Sequence, residues 1–213
     1  MGLLVGRTRG GIVILALAAC LAGGVAGATT DWFERPYSVE LVTTSPSGDE
    51  TRGALYVGDQ RMRVDASEDE VPYVVVYAFE PGAVVMHMLD PIGTTVMSVR
   101  FELGDVVELD VLLMGAITLP PQHPQHPCAT NPEQATCVGE GLEPLGDAMA
   151  ERWTIELRDG FGYAEVFALW AAEDDGRILR TEYPDGYRID FVGYEFGPQP
   201  SELFEIPAEY GAP

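Results

Sequence analysis

Four residues in one short stretch have side chains able to hold a metal or form a covalent bridge. Pro121-Gln122-His123-Pro124-Gln125-His126-Pro127-Cys128 sets two histidines and a cysteine close together, and Cys137 follows nine positions later. Two imidazoles and two thiolates form a sound tetrahedral zinc set. The same cysteines can instead oxidise to a disulfide that closes a small loop, worth about 2–3 kcal/mol in the chain-entropy picture. A proline follows each histidine and stiffens the loop, and an oxidising compartment consumes both thiols. The adopted reading is therefore a Cys128–Cys137 disulfide in a proline-rich loop at 120–140, with no metal and no cofactor.

Other chemistry-bearing residues are weighed the same way. His87 falls on an expected strand, where a satisfied structural histidine is the simpler role. Arg100 and Arg180 could anchor a carboxylate or phosphate, but each has many acids to pair with. Glu68-Asp69-Glu70 and Glu173-Asp174-Asp175 lack the spaced oxygen ligands and glycine of a calcium loop. No serine or cysteine stands in a nucleophile context beside a usable histidine. No catalytic residue is assigned, and the chain is read as a non-enzyme.

The start of the chain speaks to location. Arg7 and Arg9 precede an apolar run from Ile12 to Ala19, and small residues end in Ala26-Gly27-Ala28. That pattern is a secretory signal peptide at 1–28, with an A-x-A cleavage site. Leu17-Ala18-Ala19-Cys20 also reads as a lipobox, which would make Cys20 a lipidated anchor. Cleavage after Ala28 gives an exported protein, periplasmic or secreted; cleavage before Cys20 gives an outer-membrane lipoprotein. The full A-x-A site favours the first. Residues 29–36 follow as a linker, and 37–213 read as a single domain of a size that buries a proper core.

The charge narrows the partners. The chain carries 34 acidic and 12 basic residues, for a net charge of −22. Every basic residue is arginine. Such a charge repels nucleic acid and anionic headgroups at long range, so a nucleic-acid partner is excluded. No run beyond the signal approaches the ~18 apolar residues of a membrane span.

The elements that must position these residues read as β throughout. Tyr37–Thr44 alternates apolar and polar. Arg52–Val57, Arg61–Asp65, Tyr73–Phe79, Val84–Leu89 and Thr95–Leu103 follow at hairpin spacing, with Gly, Pro and Asp between them. Met62 and Val64 can point inward while Arg61 and Arg63 face out. Residues 105–119 are apolar at mixed spacing, which leaves a helix over the sheet or further strands both open. After the cysteine loop come Arg152–Leu157, Tyr163–Ala171, Ile178–Glu182 and Tyr187–Phe196. Together they predict a mainly β, curled antiparallel sheet.

Four stretches carry a resemblance: Gly53–Val64 with its G-x-x-Y-x-G-x-x-R-x-R run, Cys137–Trp153, Val166–Arg180, and the terminal Leu203-Phe204-x-Ile206-Pro207-x-x-Tyr210. In these the chain resembles the LolA/LolB-like superfamily of bacterial envelope proteins, and more narrowly an uncharacterised exported group within it. The resemblance implies a curved, open antiparallel half-barrel with helical or loop lid segments. It also implies a concave face that holds an acyl chain, a lipid or a lipoprotein. The expected cavity residues are Met86, Met88, Phe101, Val166, Trp170 and Phe191, since Met and aromatic side chains suit an adaptable apolar site. The competing reading is an envelope interaction or sensor module with a protein partner and no lipid cargo.

Overall fold

The computed structural model describes residues 35–68, 71–103, 107–160 and 163–210. The signal peptide, Cys20, most of the linker, and Asp69 and Glu70 of the first acidic cluster lie outside the described residues.

Eleven strands form one antiparallel sheet that does not close. Strand β1 (Tyr37–Thr44) opens a meander through β2 (Glu50–Gly58), β3 (Arg61–Glu68), β4 (Val71–Glu80), β5 (Ala83–Asp90) and β6 (Thr95–Glu102). The second half runs β7 (Ala135–Leu145), β8 (Ala148–Arg158), β9 (Ala164–Ala172), β10 (Ile178–Glu182) and β11 (Arg188–Phe196). The spatial order is β6-β5-β4-β3-β2-β1-β11-β10-β9-β8-β7. The first and last strands thus pair at the centre, with Leu41 opposite Phe191. The chain reaches both edges midway through its length and must cross from β6 to β7.

That crossing holds helix α1 (Leu109–Thr118) and the short helix α2 (Pro127–Thr130). Of the stretch 105–119 left open by the sequence, 109–118 are helical, and 105 and 106 lie outside the described residues. The helix end is dictated locally: Pro120 disfavours helical backbone at the preceding residue, and Leu119 sits extended at φ −122°, ψ 143°. Gln134 fixes the start. Its amide oxygen accepts from Val107 N–H at 2.8 Å, and its NH₂ donates to the Val107 and Arg158 carbonyls at 2.8 and 3.1 Å. This ties the approach to α1 onto the end of β8.

Strand alternation sorts the side chains onto two faces. The inner face, under α1, is the main core: Tyr37, Val39, Leu55, Met62, Tyr77, Val84, Ile155, Phe167, Leu169 and Phe191 pack with Val107, Leu112 and Ala116. Met62 points inward, and Val64 packs beside it. A smaller core lies on the outer face, where Val76 and Leu89 meet Phe204 from the 3-10 turn Ser201–Phe204. Leu203, Ile206 and Tyr210 pack there too, and Arg63 donates to the Leu203 carbonyl at 2.9 Å. The terminal motif is therefore a strap across the back of β3 to β5.

The cysteine-containing loop is shorter than expected, because β7 begins at Ala135 and includes Cys137. Gly139, Gly141 and Pro144 mask this strand in the sequence, and its place at the sheet edge tolerates them.

Candidate ligand cleft

Between α1, α2 and the β1–β5 end of the inner face lies a cleft of about 600 Å³. Its walls are apolar: Tyr37, Val57, Met62, Phe79 and Val84 from the sheet, and Val107, Val111 and Leu112 from the crossing. Its rim is polar, with Gln60, Arg61, Thr118, Gln125 and Asn131. A neighbouring opening of about 500 Å³ shares Val57, Gly58, Gln60, Leu119 and Gln125 and adds Arg35, Asp59 and His123.

Burial makes the inner face a poor place for charge. The Tyr77 phenol is pushed up to about 12, by burial first and then by the Asp110 carboxylate and Tyr73. Burial alone raises Tyr37 well above its ordinary range. Each shift disfavours the ionised form, as burial among apolar side chains does.

The six expected cavity residues separate. Met86 and Phe191 are buried in the inner core and Phe101 packs against it. Met88 shares that face but is 37% exposed near the sheet edge. Val166 and Trp170 point the other way, since Phe167, Leu169 and Ala171 take the inner positions of β9. Both parities of this strand are apolar, and the sequence does not say which one faces in. Trp170 instead packs outside, donating to Glu143 at 2.6 Å with the Arg152 guanidinium over its ring. None of the six lines the cleft, whose walls come from β1 to β5 and from α1.

Arg100 and Arg180 are already engaged. Arg100 pairs with Glu80 and Glu102, and Arg180 with Asp190 at 2.6 Å. His87 sits on the outer face 2.8 Å from the Ser98 hydroxyl, with its pKa lowered by burial.

Cys128 and Cys137 form a disulfide, with an S–S distance of 2.00 Å. It pins α2 to β7. His126, Cys128 and Cys137 bring their ligand atoms within 4.8 Å of one another, but the bridged sulfurs offer no thiolates for zinc. His126 is fully buried and caps α2, its Nδ1 accepting from Cys128 N–H at 3.1 Å. Nε2 faces the Ala116 carbonyl without closing a well-formed hydrogen bond. Burial pushes this imidazole down to about 4. His123 lies apart at the rim of the second opening.

Fold and cleft together define an open antiparallel half-barrel whose inner face is bridged by a helix, the architecture that the LolA-like resemblance implies. No family model matches the chain, and no curated protein matches it. Among solved structures it is similar to an uncharacterised conserved protein from Thermus thermophilus. The TM-score is 0.53 at 14% identity, over 84% of this chain and 90% of that one. This likeness is one of fold. Two weaker likenesses, with TM-scores under 0.5, carry no argument. One is the MucA/MucB complex of Pseudomonas aeruginosa, at TM-score 0.45 and 14% identity over 84% of this chain and 61% of that one. The other is the LolA superfamily protein NE2245 from Nitrosomonas europaea, at TM-score 0.36 and 12% identity over 80% of this chain and 90% of that one. Among the described residues, no helix is long and apolar enough to cross a membrane.

Proposed function

We propose that this chain is a non-enzymatic, exported cell-envelope protein that binds one acyl chain of a lipid or lipoprotein. The observation that carries this reading is the apolar cleft of about 600 Å³ between α1 and the inner face. That volume lies inside the ~300–1,000 Å³ range of small-molecule sites, and its apolar walls with a polar rim match their usual make-up. The signal peptide expected at 1–28 supports export to the compartment where such chains occur. On this reading the chain lies beside β1 to β5, in a cleft that none of the six residues expected from the sequence lines.

The test is native mass spectrometry of protein purified from its own envelope fraction without detergent. A bound mass matching a lipid or fatty acid is the expected result. A mature terminus at Cys20 with added acyl mass would make the protein a tethered lipoprotein. A bare chain beginning at Thr29 would overturn the lipid reading in favour of a protein-interaction module.

A further inference from the structure

We propose that opening the Cys128–Cys137 bridge turns the α2–β7 junction into a zinc site, with Cys128, Cys137 and His126 as its ligands. The inference goes beyond the acyl-chain reading and does not depend on it. In the bridged state the two sulfurs serve the fold. The reduced state returns the two thiolates that a zinc site needs.

The imidazole is already in place. His126 is fully buried, and its ligand atom and the two sulfurs all lie within 4.8 Å of one another. Nδ1 stands 3.7 Å from Cys137 Sγ, and it accepts from Cys128 N–H at 3.1 Å. With Zn–N near ~2.0 Å and Zn–S near ~2.3 Å, nitrogen and sulfur on two corners of a tetrahedron lie about 3.6 Å apart. The observed separation is thus close to that of two ligands on one metal. Because Nδ1 accepts, the ring proton sits on Nε2, which faces the Ala116 carbonyl of α1. Ligating histidines commonly have such a carbonyl behind the far nitrogen, where it fixes tautomer and ring orientation. Zinc at Nδ1 would replace the hydrogen bond from Cys128 N–H.

The cysteines can complete the set. Both are half-buried, so a reductant can reach them, and their Cα atoms are 5.9 Å apart. From that spacing, side-chain rotation can part the sulfurs to the ~3.8 Å edge of a zinc tetrahedron. The reducing step is exchange with a dithiol protein. One of its thiolates attacks a cysteine sulfur and the S–S bond breaks; its second thiolate then resolves the mixed disulfide. Two electrons and two protons pass to Cys128 and Cys137, and the dithiol leaves as a disulfide. Zn²⁺ next displaces both thiol protons. Two thiolates and one dication sum to zero, so the site takes on no net charge. His123 is not among the gathered ligand atoms and lines the second opening instead, which leaves the fourth position to water.

The experiment titrates oxidised and reduced pools of the protein with Co²⁺ and with Zn²⁺, without air and after removal of the reductant. The reduced pool is expected to take up one metal per chain, with sulfur-to-cobalt charge-transfer absorption, and the oxidised pool to show no such band. His126→Gln should weaken zinc binding by the reduced pool more than about tenfold, since loss of even a supporting partner behind a ligand costs ~10–100-fold. His123→Gln should leave it unchanged. Equal metal binding by the two pools overturns the site. So does unchanged affinity in a His126→Gln variant whose circular dichroism matches the parent. If that variant does not fold, X-ray absorption at the zinc edge of the reduced, unmodified protein decides. Two sulfurs and one imidazole nitrogen are expected, and a shell without imidazole scattering overturns the assignment.

Discussion

The ring of Phe204 fills the space that a side chain at position 58 would need. A Cβ added to Gly58 would lie 2.8 Å from both Cε2 and Cζ of that ring. The glycine of β2 is thus a slot for the C-terminal strap, and the sequence motif at 203–210 owes its place on the sheet to it. Gly58→Ala is expected to cost about 1–3 kcal/mol through overpacking. Phe204→Ala is expected to cost about 3–5 kcal/mol through the cavity it leaves. Urea unfolding of both single variants and the double should show strong non-additivity, with Gly58→Ala nearly neutral once the ring is gone. Additive costs would mean that the two residues do not share this space.

The disulfide supports stability rather than chemistry. Replacing Cys128 and Cys137 by alanine should lower the unfolding free energy by about 2–3 kcal/mol. Thermal melts of the oxidised protein and the double variant measure this. No change in stability would remove the bridge from the supports of the α2–β7 junction.

His126 gives the fold an acid-sensitive point. Its imidazole is held neutral in the folded chain, with a pKa near 4 against 6.5 for a free histidine. The unfolded chain therefore binds more protons between these values, and stability rises with pH across them. The contribution is whole above pH 6.5 and is lost as pH falls toward 4, up to about 3 kcal/mol. Urea midpoints recorded across this window should fall with acid, and a His126→Gln variant should show a flatter profile. An unchanged slope would assign the acid response to the carboxylates instead.

Val111 faces the cleft from α1. Val111→Trp should fill the recess at a cost of about 1–3 kcal/mol in stability. In native mass spectra the variant should lack any bound lipid mass carried by the unmodified protein. A retained bound mass would place the ligand elsewhere.

Much of this architecture was legible in the sequence, for a physical reason. In β1 the buried Tyr37, Val39 and Leu41 alternate with half-buried residues, so the pattern marks the strand. Strand β7 was hidden because an edge strand can carry Gly139, Gly141 and Pro144 without losing a neighbour on both sides. Helix α1 was ambiguous because Val111, Leu112, Leu113 and Ala116 all pack against the core and leave little polar face. Val166 and Trp170 were misplaced because β9 is apolar on both sides.

The path from β6 to β7 has a mechanical consequence. It is the one covalent tie between the two outermost strands, and it runs over the hollow of the sheet like the string of a bow. Flattening the sheet would stretch this string, and lifting α1 would slacken the bend. The Gln134 clip holds the approach to α1 at Val107 and the Cys128–Cys137 bridge holds α2 on β7, so the crossing is fastened on both sides of α1. A load that flattened the sheet would therefore be carried through these two fastenings.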